Sequence, residues 1–115
     1  MSVTIYHNPR CTKSRLTLAL LEEKGIAAEV VTYLDTPLSV ETLESVLSAL
    51  GMEPRALMRK GENVYKELDL ANEGLSRAAL INAMIENPIL IERPIVVNGN
   101  KAAIGRPPEN VLEIL

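Results

Sequence analysis

The sequence predicts an α/β domain: a small mixed β-sheet with helices against it and a helical segment inserted midway. Three observations carry this. The N-terminal stretch runs in the order strand, helix, strand, which over about thirty residues is a βαβ unit. Near the C-terminus, Pro94 to Ile104 holds two short runs on either side of Asn98-Gly99, a hairpin signal. Between these ends lie two Ser-led stretches with apolar residues at helical spacing.

Each element follows from its residues. Val3 to Tyr6 reads as a buried strand. Thr12 to Lys24 reads as a helix, with Leu16, Ala19 and Leu20 apolar and Gly25 as its stop. Glu29 to Tyr33 is Val-rich and loosely alternating, the second strand, joined to the first by a right-handed crossover. Ser39 caps a helix whose stripe is Leu43, Val46, Leu47 and Leu50, ending at Gly51. Pro54 opens a shorter helix to about Lys60, and Asn63 to Leu70 adds a turn or two. Ser76 caps a helix carrying Leu80, Ile81, Met84 and Ile85, stopped by Asn87-Pro88. Pro94 to Val97 is a strand, Lys101 to Ile104 pairs back, and Pro107-Pro108 opens a final helix with Val111, Leu112 and Leu115 inward. With the insert set aside, βαβ–ββα is the thioredoxin-like layout. The expectation is one thioredoxin-like domain over residues 1–115, with an all-helical insertion at about 38–88 between the second and third strands.

Composition narrows the function classes. At 115 residues the chain can bury one core. Its 47% hydrophobic and 23% charged residues are ordinary for a soluble protein. No apolar run approaches the ~18 residues of a membrane span, and the N-terminus lacks the basic-then-apolar pattern of an export signal. A net charge of −3 and three tyrosines as the only aromatics argue against a nucleic-acid surface. One cysteine forms no internal disulfide, which fits a reducing cytoplasm. No His/Cys/Asp/Glu cluster has metal-ligand spacing, and no glycine loop is built to cradle phosphate.

That cysteine, Cys11, sits where the first strand hands over to the first helix. Its sulfur is therefore expected near the positive helix end, where a thiol pKa can fall to roughly 3.5–7.5. Arg10, Lys13 and Arg15 flank it, His7 precedes it by four positions, and Cys11-x-x-Ser14 resembles Cys-x-x-Cys with the second thiol removed. The plain alternative is a buried, inert cysteine. Ser14 is either a local back-bonding residue or a hydroxyl donor to the thiolate. Asn8 is expected to order the loop before Cys11. Arg93 and Arg106 each precede a proline, which pushes their backbone toward extended geometry. In thioredoxin-like layouts the proline before the third strand is typically cis and packs beside the active thiol, which implies Arg93 next to Cys11. Arg59 comes from the insert, where Arg55, four residues away on the same helix face, serves equally well. Guanidinium groups converging on a thiolate can bind a tetrahedral oxyanion by forked hydrogen bonds. Taken singly, each arginine also reads as an ordinary solvated side chain.

These residues together resemble the glutaredoxin-dependent arsenate reductases of bacteria, the ArsC family, essentially end to end. Tyr6-His7-Asn8-Pro9-Arg10-Cys11-Thr12-Lys13-Ser14-Arg15 is similar to the family's His-Asn-Pro-x-Cys-x-x-Ser-Arg signature. Tyr33 to Pro37, Arg55 to Lys60, Glu92 to Val97 and Gly105-Arg106-Pro107 resemble its later blocks in order. The resemblance implies Cys11 as nucleophile, Arg59, Arg93 and Arg106 as oxyanion-binding residues, and His7 as support for the thiolate. It thereby selects Arg59 over Arg55. Glu92, beside Arg93, is a candidate ion-pair partner for that arginine.

The resemblance further implies arsenate as substrate, glutathione as co-substrate, glutaredoxin as reductant and no permanently bound cofactor. Two other readings stand beside it. One is a glutathione-dependent thiol–disulfide transferase. The other is a non-enzymatic regulator of similar fold that binds RNA polymerase; such regulators typically use a second cysteine where this chain has Ser14.

Overall fold

A computed structural model describes residues 2–115, which form two units. One contains the described residues up to Thr36 together with Arg93–Leu115; the other is Pro37–Glu92.

The first unit is built on a four-stranded sheet in the order β2-β1-β3-β4. Its strands are β1 (Val3–Tyr6), β2 (Glu29–Val31), β3 (Ile95–Asn98) and β4 (Lys101–Ile104). β1 pairs parallel with β2 across α1 (Thr12–Glu23) and antiparallel with β3, which pairs antiparallel with β4. The sheet is mixed and the fold is thioredoxin-like. β2 is shorter than its Val-rich run suggests, because the chain turns at Thr32, whose carbonyl accepts from Asp35 and Thr36 N–H. The hairpin turn falls one residue later than Asn98-Gly99. Asn98 pairs with Lys101, leaving Gly99-Asn100 as a two-residue loop, and Gly99 alone carries a positive φ of 63°. That is the II′ pattern, which places glycine first.

Val3, Ile5 and Val96 form one face of the sheet and pack with Leu21 of α1 and Val111 of the C-terminal segment. Ile5 and Val96 are cross-strand partners, so their side chains share that face. The stripe that α1 buries is Ser14, Thr17 and Leu21, not the Leu16 side; Leu16 is 51% exposed. Two polar residues are thus turned inward. The tail, Pro108–Ile114, is a 3-10 helix where an α-helix was expected. At three residues per turn, Val111 and Ile114 fall on one side and Leu112 and Leu115 on another. Accordingly Val111 is fully buried and Ile114 packs on the core, while Leu112 and Leu115 are exposed.

The second unit is helical. α2 (Val40–Leu50) starts at Ser39, whose Oγ accepts from Thr42 N–H, and ends at Gly51 with φ 67°. α5 (Arg77–Glu86) starts at Ser76, whose Oγ accepts from Ala79 N–H. These caps each satisfy an otherwise unpaired donor of the first turn. α2 and α5 pack together, burying Leu43, Val46 and Leu47 on one and Leu80, Ile81 and Met84 on the other. α3 (Pro54–Leu57) is shorter than expected because Met58 turns extended and forms an antiparallel bridge with Ile91. α4 (Asn63–Glu67) and a 3-10 turn at Pro88–Leu90 complete the unit. No described helix is long and apolar enough to cross a membrane.

Candidate active site

The sheet positions a thiol and two guanidinium groups within the first unit. β1 ends at Tyr6, and His7 N–H still donates to Val31 O, so the ladder carries the chain into the loop. Asn8 then shapes that loop twice: its side-chain Oδ1 accepts from Arg10 N–H at 3.0 Å and its carbonyl accepts from Cys11 N–H at 3.0 Å. Cys11 is the N-cap residue of α1, with extended backbone, and contributes no side-chain cap. Its sulfur is left available, part-exposed, at the end of the helix where N–H groups lack partners.

Several forces act on that thiol. Part-burial pushes its pKa up. Against this act the main-chain N–H of Ser14, the hydrogen bond and charge of Arg93, and the N–H of Lys13, and the balance lies below the ordinary thiol value. The helix end therefore acts through named N–H groups. Lys13 helps with its backbone, and Arg15 folds over the loop instead, donating to Pro9 O and Thr12 Oγ1.

Arg106 is the second guanidinium at the sulfur. Its Nη2 lies 3.6 Å from Cys11 Sγ, while its Nε donates to Arg93 O at 2.8 Å. Arg93 and Arg106 flank the β3–β4 hairpin, and both of the Arg-Pro bonds that follow them are cis. Gly105 N–H donates to Pro94 O at 2.9 Å, which joins the two hairpin ends just where the arginines leave.

His7 and Ser14 lie behind the loop. His7 Nδ1 shares a 2.7 Å hydrogen bond with Ser14 Oγ, which also accepts from Asn8 N–H at 3.0 Å. Both side chains are buried. Burial, and then the charge of Arg15, lowers the His7 pKa and so favours the neutral ring. Ser14 thus meets Cys11 through its main-chain N–H, while its hydroxyl is engaged by His7 and Asn8. His7 is thus linked to Cys11 only through the loop and Ser14.

The second unit holds Arg59, and the structure separates it from Arg55. Because α3 ends at Leu57, the two do not share a helix face. Arg59 lies on the extended bridge segment, its N–H donating to Leu90 O, with Glu92 N–H donating to Leu57 O. Its guanidinium pairs with Glu92 at 2.9 Å and Glu62 at 3.2 Å. Arg55 instead donates from Nε to Leu70 O and from Nη2 to Asn72 O, a structural clasp. Glu92 therefore has an ion pair within its own unit, with Arg59. Sequence reading passes over Thr17 and meets Gly105 only as part of the Gly105-Arg106-Pro107 block; both are buried beside the site. Their signal is the inward stripe Ser14, Thr17, Leu21, which only the burial pattern makes visible. No group of three or more His, Cys, Asp or Glu among the described residues is arranged to hold a metal ion.

The arrangement favours the thiolate form of Cys11 and can offer guanidinium donors to an anion beside it. Comparison with known proteins points the same way. Residues 6–114 match the family described as the ArsC family. The arsenate reductase of Haemophilus influenzae is 56% identical over 116 residues, covering 100% of both chains. A protein of Escherichia coli K12, uncharacterized protein YfgD, is 60% identical over 98% of this chain and 96% of its own length. Among solved structures, an arsenate reductase from Vibrio cholerae aligns with a TM-score of 0.97 and 59% identity, covering 100% of this chain and 98% of that one.

Proposed function

Since the chain belongs to the ArsC family, we propose that it is an arsenate reductase that works through Cys11 as its single nucleophile. The observation that carries this is the part-exposed Cys11 thiol, held acidic by Arg93 and helix N–H groups with Arg106 Nη2 at 3.6 Å. A guanidinium pair at a thiolate suits a tetrahedral oxyanion better than it suits a neutral disulfide.

In the proposed reaction, arsenate docks against Arg93 and Arg106, and the Cys11 thiolate attacks arsenic. An arsenate oxygen takes up protons and leaves as water, giving a thiol–arsenate adduct. Reduction to arsenite takes two electrons, and this chain has no second thiol. An external thiolate therefore attacks the Cys11 sulfur. The S–As bond pair stays on arsenic, which leaves as arsenite, and Cys11 becomes a mixed disulfide. The family resemblance names glutathione as this thiol and glutaredoxin as the dithiol that frees Cys11 again. No bound cofactor enters these steps. His7 and Ser14 are proposed to support the thiolate by holding the loop, and for Arg59 the support is the resemblance alone.

The test is arsenate-dependent NADPH oxidation in a coupled assay with glutathione, glutaredoxin and glutathione reductase. Turnover that requires both arsenate and Cys11 is expected. Exchange with a disulfide substrate and no response to arsenate would assign the thiol–disulfide transferase instead.

A further inference from the structure

We infer that Gly105 and Thr17 form a positioning pair, a contact that sets how far the sulfur stands from the two arginines at the hairpin ends. Gly105 is buried and its φ lies outside the left-handed region, so the position asks for space and not for glycine's backbone freedom. A Cβ placed there would fall on Thr17 Oγ1, 3.1 Å from Thr17 Cγ2 and 2.8 Å from Pro94 Cγ. Real Cβ atoms do not sit so close, so the backbone of the hairpin end rests directly on the Thr17 side chain.

Thr17 suits this place. Its side chain is fully buried, and its Oγ1 donates to Lys13 O at 2.8 Å, so the hydroxyl is satisfied within its own helix. Two branches on Cβ restrict its χ1, which makes it a firm spacer. Both sides of the contact lead to the thiol. Thr17 lies on α1, the helix that Cys11 caps. On the other side, Gly105 precedes Arg106 and bonds Pro94 O, next to Arg93. A change in the spacing between α1 and the hairpin end thus changes the separation of Sγ from Arg93 and Arg106. Neither residue touches the sulfur in this argument; both act through the elements that carry it.

The inference rests on Cys11, Arg93 and Arg106 working as one site. Its readout is iodoacetamide alkylation of Cys11 against pH, which needs no arsenate, so it can fail or succeed independently of the proposed activity. In Gly105→Ala, the alkylation rate at a pH below the wild-type midpoint is expected to drop about tenfold, with the midpoint moving toward that of an unperturbed thiol. Thr17→Ala alone should lower it less, since the helix loses its spacer without being pushed away. Combining the two removes both clashes with Thr17 and leaves only the one with Pro94 Cγ, so the double variant should recover a substantial part of the wild-type profile, a non-additive result. Thr17→Val keeps the bulk and should retain the profile. If Gly105→Ala fails to fold, the double variant decides alone: a folded protein with an acidic thiol supports the pair. A wild-type profile in folded Gly105→Ala, or an ordinary thiol in the folded double variant, overturns it.

Discussion

Arg106→Ala removes a cation 3.6 Å from the Cys11 sulfur, and its effect can be worked from that distance. Two unit charges at this separation interact by about 1 kcal/mol in the dielectric of water and about 5 kcal/mol at an effective value near 20. Cys11 is only part-buried, and Arg93 remains beside it. The lower half of the range therefore applies, about 1–2.5 kcal/mol, which overlaps the usual worth of a hydrogen bond to a charged group. At tenfold per 1.4 kcal/mol, the variant should hold roughly 5- to 60-fold less thiolate at any pH well below the midpoint. Iodoacetamide alkylation followed from acid to alkaline pH measures this directly. The profile should move to higher pH and its plateau should rise by a smaller factor, because a more basic thiolate is somewhat more nucleophilic while its abundance falls more steeply. Arg106→Lys keeps the charge but loses the fork that joins sulfur and Arg93 O, so an intermediate profile is expected. A profile for Arg106→Ala that superimposes on wild type would refute the assignment of this guanidinium to the thiolate.

Other predictions address separate parts of the molecule. Cys11→Ser should abolish arsenate reduction with circular dichroism unchanged, since a serine hydroxyl stays protonated near neutral pH and no other thiol exists. Arg59→Lys should lower kcat/KM for arsenate about ten- to a hundredfold, whereas Arg55→Lys should lower thermal stability and spare kcat/KM, because Arg55 clasps the Leu70 and Asn72 carbonyls. His7 has a folded pKa below its ordinary 6.5, so the unfolded chain binds its proton more readily. Stability should accordingly be lost as pH falls below about 6.5 toward the folded value, and urea unfolding of His7→Asn should lack that component. Val111→Ala should cost about 2 kcal/mol, two methyl groups and a small cavity, while Leu112→Ala should cost under about 0.5 kcal/mol in the same assay.

Much of this was legible in the residues. Ser39 and Gly51 announce the two ends of α2, because a side-chain acceptor and a left-handed backbone are local requirements that local residues meet. The parallel pairing of β1 with β2 follows from the helix between them, and the cysteine's place follows from the strand before it. What was not legible depends on contacts distant in sequence. Met58 leaves the helix because Ile91 offers it a bridge, and that separates Arg59 from Arg55. Leu16 looks like the core side of α1, yet the buried face is the one with Thr17 and Leu21, set against Gly105 and the sheet core. The charges of Lys13 and Arg15 look like the source of thiol acidity, but main-chain N–H groups and Arg93 act there instead.

The β3–β4 hairpin has a consequence for how the site comes together. Arg93 and Arg106 are only 13 positions apart, and the pairing of Ile95 with Ile104 brings them face to face. Closing so short a loop costs little chain entropy, so two cationic partners are assembled by a local event. The sulfur, 95 positions from Arg106, must wait for β1 and α1 to join. Residues added at Gly99-Asn100 would lengthen the tip and leave the opposite end of the ladder in register. A single residue added inside either strand would shift every pair beyond it and turn one arginine to the wrong face. Variation in chain length is thus absorbed at the tip of this hairpin, while the end that carries the chemistry is held to a fixed count.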